Sequence, residues 1–543
     1  MPRRPRSLNI LFIVFIGGVM LSQLYSLDGS VSLYRTTQYL VFSCLAFALC
    51  HEFQEAQASE SVIWRVFWLL GMATALLTTF QWIKGLTRSG MLPINPNFNA
   101  AWMAALTVAW MAKRNSTWSE KCLAVWLMTA VIFGSSRSAL LGLSAGTLFC
   151  ISHKYSRAHM WLVVGMFSLV AFFIPHPFLN RLGVFENGAR WRIWTLALKG
   201  LIDYPLTGYG PGNFELAYLR HAFPFGEVVR YGHTTAFAHN DYLQLLCELG
   251  WPTAGLLFSA LITVLWNPAR EQNSFAIPAK GILITLAVAA FFNPIFEMPI
   301  LAYLAVFCAS YLLPIATDPQ RSSGPKGVSL QGSFMGLLCA TLLLVIWCGM
   351  RSYWVSTENW RRILGWNPHD AEAWHELAYQ TNEPLEALRY HQNAVQESPQ
   401  QPYYVEGLAR ALDSRPESTY LPLALTMYLN AIQLAPTRAV NDLAVASVLW
   451  RAGEPVRAWD WAEQALRLEP YYWECDLWKA RCFAKMGDRK RAIFALQNLR
   501  QRRRQFLDSG FVAAQSPYEN TILRYDDSVI QQELEHLESL RKV

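Results

Sequence analysis

This sequence is poor in charged residues. They make up 16% of the 543-residue chain, whereas hydrophobic residues make up 53%. Soluble domains carry about 25% charged residues, so the scarcity of charge excludes a chain that is soluble over its whole length. The deficit is uneven, because residues 1–350 are a series of apolar runs and residues 351–543 are polar. We therefore predict a transmembrane domain at 1–350 and a separate soluble domain at 351–543.

Motifs for metals and nucleotides are also missing. The ten cysteines include no Cys-x-x-Cys pair, and no His or carboxylate cluster has the spacing of metal ligands. The glycine-rich segment 208–212 lacks the Gly-Lys-Ser/Thr ending of a phosphate-binding loop, and its glycines predict a tight turn with close backbone contacts. We expect no metal, no cofactor and no nucleic-acid partner.

The apolar runs of residues 1–350 predict an all-α, polytopic bundle of about eleven membrane spans. A span needs about 20 apolar residues, with a range of 17–25. The first run follows three arginines and has no clear cleavage site, which favours an uncleaved first helix. The predicted spans lie near 8–25, 33–50, 62–82, 97–113, 120–134, 137–152, 159–175, 241–265, 276–292, 295–315 and 332–350.

Basic residues orient this bundle. If the amino terminus lies inside, the loops at 113–121 and 154–157 are cytoplasmic, and these loops are rich in lysine and arginine. Lys84 and Arg88 count against this orientation, but the total favours it. The long loop 176–240 then lies outside. An odd number of spans also places residues 351–543 outside, which in a bacterium is the periplasm.

The soluble domain contains a repeat of 34 residues. This spacing separates Pro436 from Pro470 and Gly453 from Gly487. It is typical of tetratricopeptide repeats, in which each unit is a pair of helices. We predict an α-solenoid of about four repeats over 367–506. Such a solenoid either binds a protein partner or serves only as a packing domain, and the sequence leaves both open.

Four residues of the membrane domain are candidates for chemistry. His239 begins an apolar span, and a histidine there is either structural or suited to proton transfer near neutral pH. Arg137, at a span end, either reaches the interface or binds phosphate oxygens, and Arg190 and Arg192 offer the same guanidinium chemistry. Arg192 is also compatible with a surface position or a cation–π contact. The buried Glu248, nine residues after His239, is expected to brace helices.

Three segments together resemble the O-antigen ligase and polymerase superfamily of bacterial membrane glycosyltransferases. The first is His, Asn, nine residues, Gly, two residues and Thr, which runs here from His239 to Thr253. The second is the Ser-Arg segment at 136–139. The third is Arg-x-x-x-Trp at 190–194, which leads to Pro-Leu-x-Gly-x-Gly at 205–210. All three occur in the family's order, and the resemblance covers roughly residues 90–310.

The resemblance implies an enzyme at the periplasmic face of the inner membrane. It would pass a glycan from undecaprenyl pyrophosphate to an acceptor hydroxyl without a metal. Arg137 and Arg190, and less directly Arg192, would bind the pyrophosphate, and His239 would take the acceptor proton or orient the acceptor. The acceptor is lipid A core, another glycan repeat, as in a polymerase, or a protein, as in pilin-type oligosaccharyltransferases. A non-enzymatic scaffold for polysaccharide assembly is the alternative of a different class.

Overall fold

The computed structural model describes residues 6–55, 60–85, 96–113, 115–134, 136–154, 189–222, 234–266, 274–313, 346, 349–508 and 526–539. Their regular structure is helical throughout, and no strand occurs among them. The all-α prediction is therefore confirmed for this part of the chain.

The first half contains eleven described helices, numbered here in chain order. They are α1 Arg6–Leu24, α2 Gly29–Glu55, α3 Glu60–Ile83, α4 Pro96–Ala112, α5 Trp118–Phe133, α6 Arg137–Lys154, α7 Ala189–Asp203, α8 Phe214–His221, α9 Asp241–Trp266, α10 Ala276–Ala290 and α11 Pro299–Leu312. A helix occupies nine of the predicted span positions. The position near 159–175 lies outside the described residues, as does most of 332–350.

Two of the described helices are long and apolar enough to cross a membrane, Ser61–Ile83 and Asp241–Trp266. Ile13–Leu24, Ala276–Ala290 and Pro299–Leu312 are apolar but shorter. By length and composition, the described helices therefore supply two candidate spans, and the count of about eleven stays a prediction.

Helices α4, α5, α6 and α10 form the core of the first half. Small residues let α6 and α10 approach closely, because a Cβ atom on Gly146 of α6 would lie 2.7 Å from Gly281 O of α10. Residues 142–146 have the Gly-x-Ser-x-Gly pattern of a hydrolase elbow. Ser144 nevertheless lies within α6 and donates a hydrogen bond to Leu140 O at 2.8 Å, so the segment is a packing surface and not a strained turn.

The predicted loop 176–240 contains two helices, α7 and α8. Ile193, Leu196 and Ala197 lie on one face of α7 and are almost completely buried against Phe214 and Cys247. Apolar residues on one face are typical of a helix, but the polar residues of the segment as a whole made this pattern hard to recognise in the sequence. Residues 189–222 therefore form a packed helical layer over the start of α9.

The second half is a stack of helical hairpins. Its four pairs are α13 Ala371–Gln380 with α14 Pro384–Glu397, α15 Pro402–Asp413 with α16 Leu421–Leu434, α17 Ala439–Arg451 with α18 Pro455–Leu468, and α19 Trp473–Lys485 with α20 Arg489–Asp508. Helix α12, Trp360–Trp366, precedes them and α21, Asp527–Ser539, follows. Gly453 and Gly487 have φ of +83° and +76° and end the first helices of the last two pairs. The pairs occupy the region predicted for four repeats.

The repeat domain contacts the start of α2 and the turn that precedes it. Ser30 Oγ donates a hydrogen bond to His369 O at 2.8 Å and accepts one from Ala371 N at 3.1 Å. Ser398 Oγ donates to Leu27 O at 3.2 Å. His369 and Ser398 belong to the turns that precede the first helices of the first two repeats, so one edge of the solenoid rests on the first half of the chain.

A second contact joins the same edge to α8. Tyr403 donates a hydrogen bond from its hydroxyl to Glu215 Oε1 at 3.1 Å. The guanidinium of Arg438 lies 4.8 Å from the Tyr403 ring and also pairs with the buried carboxylate of Glu406, at 2.8 Å. The first three repeats are thereby tied to the layer that covers α9.

Candidate functional site

Helix α9 is interrupted close to its start. Gly250 has φ of +73° and ψ of +164°, which are not helical angles. The interruption releases the carbonyl of Glu248 and the N–H of Trp251 from helical bonding. Gly210 N donates to Glu248 O at 3.0 Å, and Trp251 N donates to Pro205 O at 3.0 Å. The Pro-Leu-Thr-Gly-Tyr-Gly segment thus supplies the bonds that the kinked helix lacks.

Glycine is required on both sides of this contact. Gly208 has φ of +69°, and a Cβ atom there would overlap the carbonyl group of Glu248. A Cβ atom on Gly250 would overlap the carbonyl of Leu206 and lie 2.9 Å from Pro205 O. Backbone cannot move aside as a flexible side chain can, so these two glycines determine how closely the loop approaches α9. The tight turn predicted at 208–212 has this role.

The side chain of Glu248 joins the same loop to α9. It is 1% exposed. Its Oε2 accepts a hydrogen bond from Gly212 N at 2.8 Å, and its Oε1 accepts one from Gln244 Nε2 at 3.0 Å. Both carboxylate oxygens are therefore engaged in packing, as expected for a bracing residue.

Gln244 lies at the centre of this polar cluster. Its Nε2 also donates to Glu297 Oε1 at 3.3 Å, and its Oε1 accepts from Ala238 N at 3.1 Å. Glu297 forms an ion pair with Arg35 of α2. The Gln244 amide therefore joins the residue before His239 to α9 and to Glu297, and Glu297 in turn connects it to α2.

His239 immediately precedes this cluster and has a left-handed backbone, with φ of +52°. Asn240 caps α9, since its Oδ1 accepts hydrogen bonds from Tyr242 N at 3.0 Å and Leu243 N at 3.1 Å. The cap sets the direction in which the chain enters the helix. His239 is half-buried at this entry point.

The surroundings of His239 disfavour its charged form. Burial, together with the positive charge of Arg190, lowers the pKa of His239 to about 4. The imidazole is therefore neutral at physiological pH. Arg190 lies close enough to His239 for its charge to contribute to this shift.

Arg190 and Arg192 both lie in the first turn of α7 and are half-buried. Residues two apart on a helix face different directions, so Arg192 does not share the side of α7 on which Arg190 lies. The ring of Trp194 lies 6.4 Å from that of Phe292, which follows α10. The Arg-x-x-x-Trp segment is thus anchored against the turn between α10 and α11.

Arg137 is the first residue of α6 and is half-buried. Its neighbour Ser138 accepts a hydrogen bond from Asn293 Nδ2. Asn293 Oδ1 in turn accepts from Asn97 Nδ2 at 3.4 Å. Arg137 is therefore linked to the α10–α11 turn through the residue beside it.

The α10–α11 turn, residues 291–298, is the common contact of the three motif segments. Besides Ser138 and Trp194, it contacts the start of α9, where Phe296 N donates to Asp241 Oδ2 at 3.0 Å and the Phe291 ring lies 4.4 Å from the Tyr242 ring. Asn293 and Pro294 lie between the spans predicted at 276–292 and 295–315, and their pattern in the sequence indicated only this break. Asn293, Glu297, Gln244 and Arg35 were all missed as site residues.

Among the residues that the structure describes, no group of three or more His, Cys, Asp and Glu side chains is placed to hold a metal ion. This part of the chain contains the neutral imidazole of His239 within range of the Arg190 guanidinium. A second guanidinium, that of Arg137 on α6, is connected to the α10–α11 turn through Ser138.

Residues 122–258 match the O-antigen ligase family. The match contains Arg137, Arg190, Arg192 and His239, and it ends within α9, before the α10–α11 turn. The chain therefore carries an O-antigen ligase domain. No curated protein matches the chain.

Solved structures with similarity to the chain include proteins of tetratricopeptide repeats. MamA is 14% identical, covers 31% of this chain and 97% of its own, and has a TM-score of 0.27. A thermophilic TPR protein of Thermus thermophilus is 23% identical, with coverages of 33% and 90% and a TM-score of 0.24. Yeast Tom70 is 12% identical, with coverages of 82% and 90% and a TM-score of 0.25.

Proposed function

We propose that the O-antigen ligase domain of this chain transfers a glycan from undecaprenyl pyrophosphate to an acceptor hydroxyl. The observation that carries this proposal is that the segments containing Arg137, Arg190 and His239 all contact the α10–α11 turn, with the Arg190 charge within range of His239. A guanidinium matches the oxygens of a pyrophosphate. A neutral imidazole beside it is suited to the proton of an attacking hydroxyl.

The proposed step breaks one bond and forms another. The acceptor oxygen attacks the anomeric carbon of the glycan while His239 takes the hydroxyl proton. The bond from that carbon to the phosphate oxygen breaks, and its electron pair leaves with undecaprenyl pyrophosphate. Arg190 and Arg137 stabilise the negative charge that collects on the leaving group, and His239 later releases its proton to water. Arg192, on a different side of α7, contributes less. No metal takes part.

Purified protein supplied with undecaprenyl-pyrophosphate glycan and candidate acceptors tests the proposal. We expect glycosylated acceptor and free undecaprenyl pyrophosphate in equal amounts, with a rate that EDTA leaves unchanged. Arg190→Ala should lower the turnover about 10²-fold, the usual effect of losing one donor to a developing anion. Arg137→Ala should lower it similarly, and Arg192→Ala should have a smaller effect.

The matched control is Arg65→Ala, which removes an exposed arginine of α3 and should leave the rate unchanged. Lipid A core, a second lipid-linked glycan and a protein acceptor are supplied in separate reactions. Product with one of them assigns the protein as a ligase, a polymerase or a protein oligosaccharyltransferase. Absence of product with all of them would count against transfer and in favour of a scaffold.

We further propose that the site and the repeat domain both lie in the periplasm. The uneven distribution of basic residues supports this orientation. The contacts of Ser30 and Tyr403 also support it, because they place the repeat edge against the layer over the site. A reporter that is active only in the periplasm, fused after Val543, should be active. A silent reporter would show that the predicted number of spans is wrong by one.

A further inference from the structure

We infer that Gln244 is a positioning residue, which holds His239 in place for proton transfer through the backbone N–H of Ala238. The inference rests on the proposed function, because it concerns how that site is assembled. Gln244 is 2% exposed and lies one helical turn after Asn240. Its Oε1 accepts from Ala238 N at 3.1 Å.

The backbone at His239 needs such a contact. A non-glycine residue at positive φ is strained and persists only where the surroundings determine it. On the C-terminal side, the Asn240 cap fixes the chain. On the N-terminal side, Ala238 N donates a hydrogen bond to Gln244 Oε1. The two contacts hold the residue from both sides.

The orientation of the Gln244 amide follows from its partners. Its Nε2 faces two carboxylate oxygens, at 3.0 Å from Glu248 and 3.3 Å from Glu297. Carboxylates only accept hydrogen bonds, so the NH₂ group must point to them and the oxygen must point to Ala238. Glu297 is held by Arg35, and Glu248 is held by Gly212. The position of the oxygen is thus determined by residues far away in the chain.

Gln244 therefore connects His239 to α2, to the 205–212 loop and to the α10–α11 turn. Loss of any of these supports would move the imidazole without touching a substrate. An error of about 1 Å in a reacting group can cost about 10²-fold in rate. A positioning role predicts that the turnover number falls while donor binding is preserved.

The test compares Gln244→Ala and Gln244→Glu with wild-type protein in the transfer assay. Gln244→Ala removes the acceptor for Ala238 N, and we expect the turnover number to fall about 10- to 100-fold with less than about a twofold change in KM for the donor. The matched control is Gln23→Ala. Gln23 also bridges two elements, through Gly29 O and Thr36 Oγ1, and its loss should leave the turnover number unchanged.

Gln244→Glu supplies a readout that general loss of structure would not produce. A neutral carboxyl at this position accepts from Ala238 N and donates to Glu248 or Glu297, as the amide does. An ionised carboxyl faces these two carboxylates and lies one turn after the Asp241 carboxyl, and Arg35 is the cation paired with Glu297. We expect its turnover number to approach that of wild type at the same pH as the pH falls from about 8 to about 5.5, while Gln244→Ala stays low throughout. Comparison with wild type at each pH removes any contribution from the titration of His239, whose pKa without donor is about 4.

A wild-type turnover number in Gln244→Ala would overturn the inference, as would parallel pH profiles of the two variants. If Gln244→Ala does not fold, the recovery of Gln244→Glu at low pH still decides the question. Absence of transfer by wild-type protein is a different result. It would contradict the proposed function itself.

Discussion

Replacing His239 by alanine is expected to lower the turnover number for glycan transfer by about 10²- to 10⁴-fold, the usual contribution of a positioned general base. The KM for the lipid-linked donor should change little, because in the proposed mechanism the arginines and not His239 bind the pyrophosphate. His239→Gln keeps a polar side chain of similar length but cannot take a proton. It should be as inactive as His239→Ala if His239 acts as a base, and largely active if His239 only orients the acceptor.

The pH dependence of transfer gives a second measurement of the same residue. Burial and the Arg190 charge lower the pKa of His239 to about 4 in the protein without substrate. A histidine with a pKa this low is neutral over most of the pH range. The kcat/KM should therefore be constant near neutral pH and fall as the pH drops through about 4. The negative pyrophosphate offsets the Arg190 charge when the donor binds. The apparent pKa in the profile of kcat should therefore be higher than that in the profile of kcat/KM.

His153→Ala is the control for this experiment. His153 is an exposed residue at the end of α6, and its replacement should preserve both rate and pH profile. Equal apparent pKa values in the two profiles would contradict the role given to Arg190. Full activity in His239→Ala would contradict the mechanism.

Local sequence patterns were sufficient to predict most of the individual helices, repeats and turns of the fold. The repeats at Pro436 and Pro470 lie 34 residues apart, and helical hairpins occur at the corresponding positions because each repeat folds as a unit. The apolar run after Asn240 is a helix, and the glycines at 208, 210 and 212 have the positive φ angles of the predicted turn. Such features depend on neighbouring residues and are visible in a single sequence.

The polar cluster could not be predicted in this way. Arg35, Gln244 and Glu297 lie far from one another in the sequence and meet only after the helices pack. A buried glutamine or glutamate within an apolar run indicates that a partner exists, but not which one. The presence of Glu248 was a usable signal, and the partners of Glu248 and Gln244 required the fold.

Gly250→Ala is expected to disrupt the site from a distance. The angles φ +73° and ψ +164° belong to a region used almost only by glycine, at a cost of about 1–3 kcal/mol for other residues. The new methyl group would also overlap the carbonyl of Leu206, and overpacking adds about 1–3 kcal/mol. We expect the apparent melting temperature of the purified protein to fall by roughly 5–10 °C. Transfer should fall at least as far as in Gln244→Ala, since the 205–212 loop supports Glu248.

Gly255→Ala provides the matched comparison on the same helix. A Cβ atom at Gly255 meets nothing within 4 Å, and alanine is favoured over glycine within a helix by about 1 kcal/mol. Its melting temperature should be equal to or higher than that of wild type, with unchanged transfer. If both variants behave alike, the kink at Gly250 is not what holds the loop. If only Gly250→Ala loses stability and transfer together, the close contact between the loop and α9 is what aligns the His239 end of the helix with the arginines proposed to bind pyrophosphate.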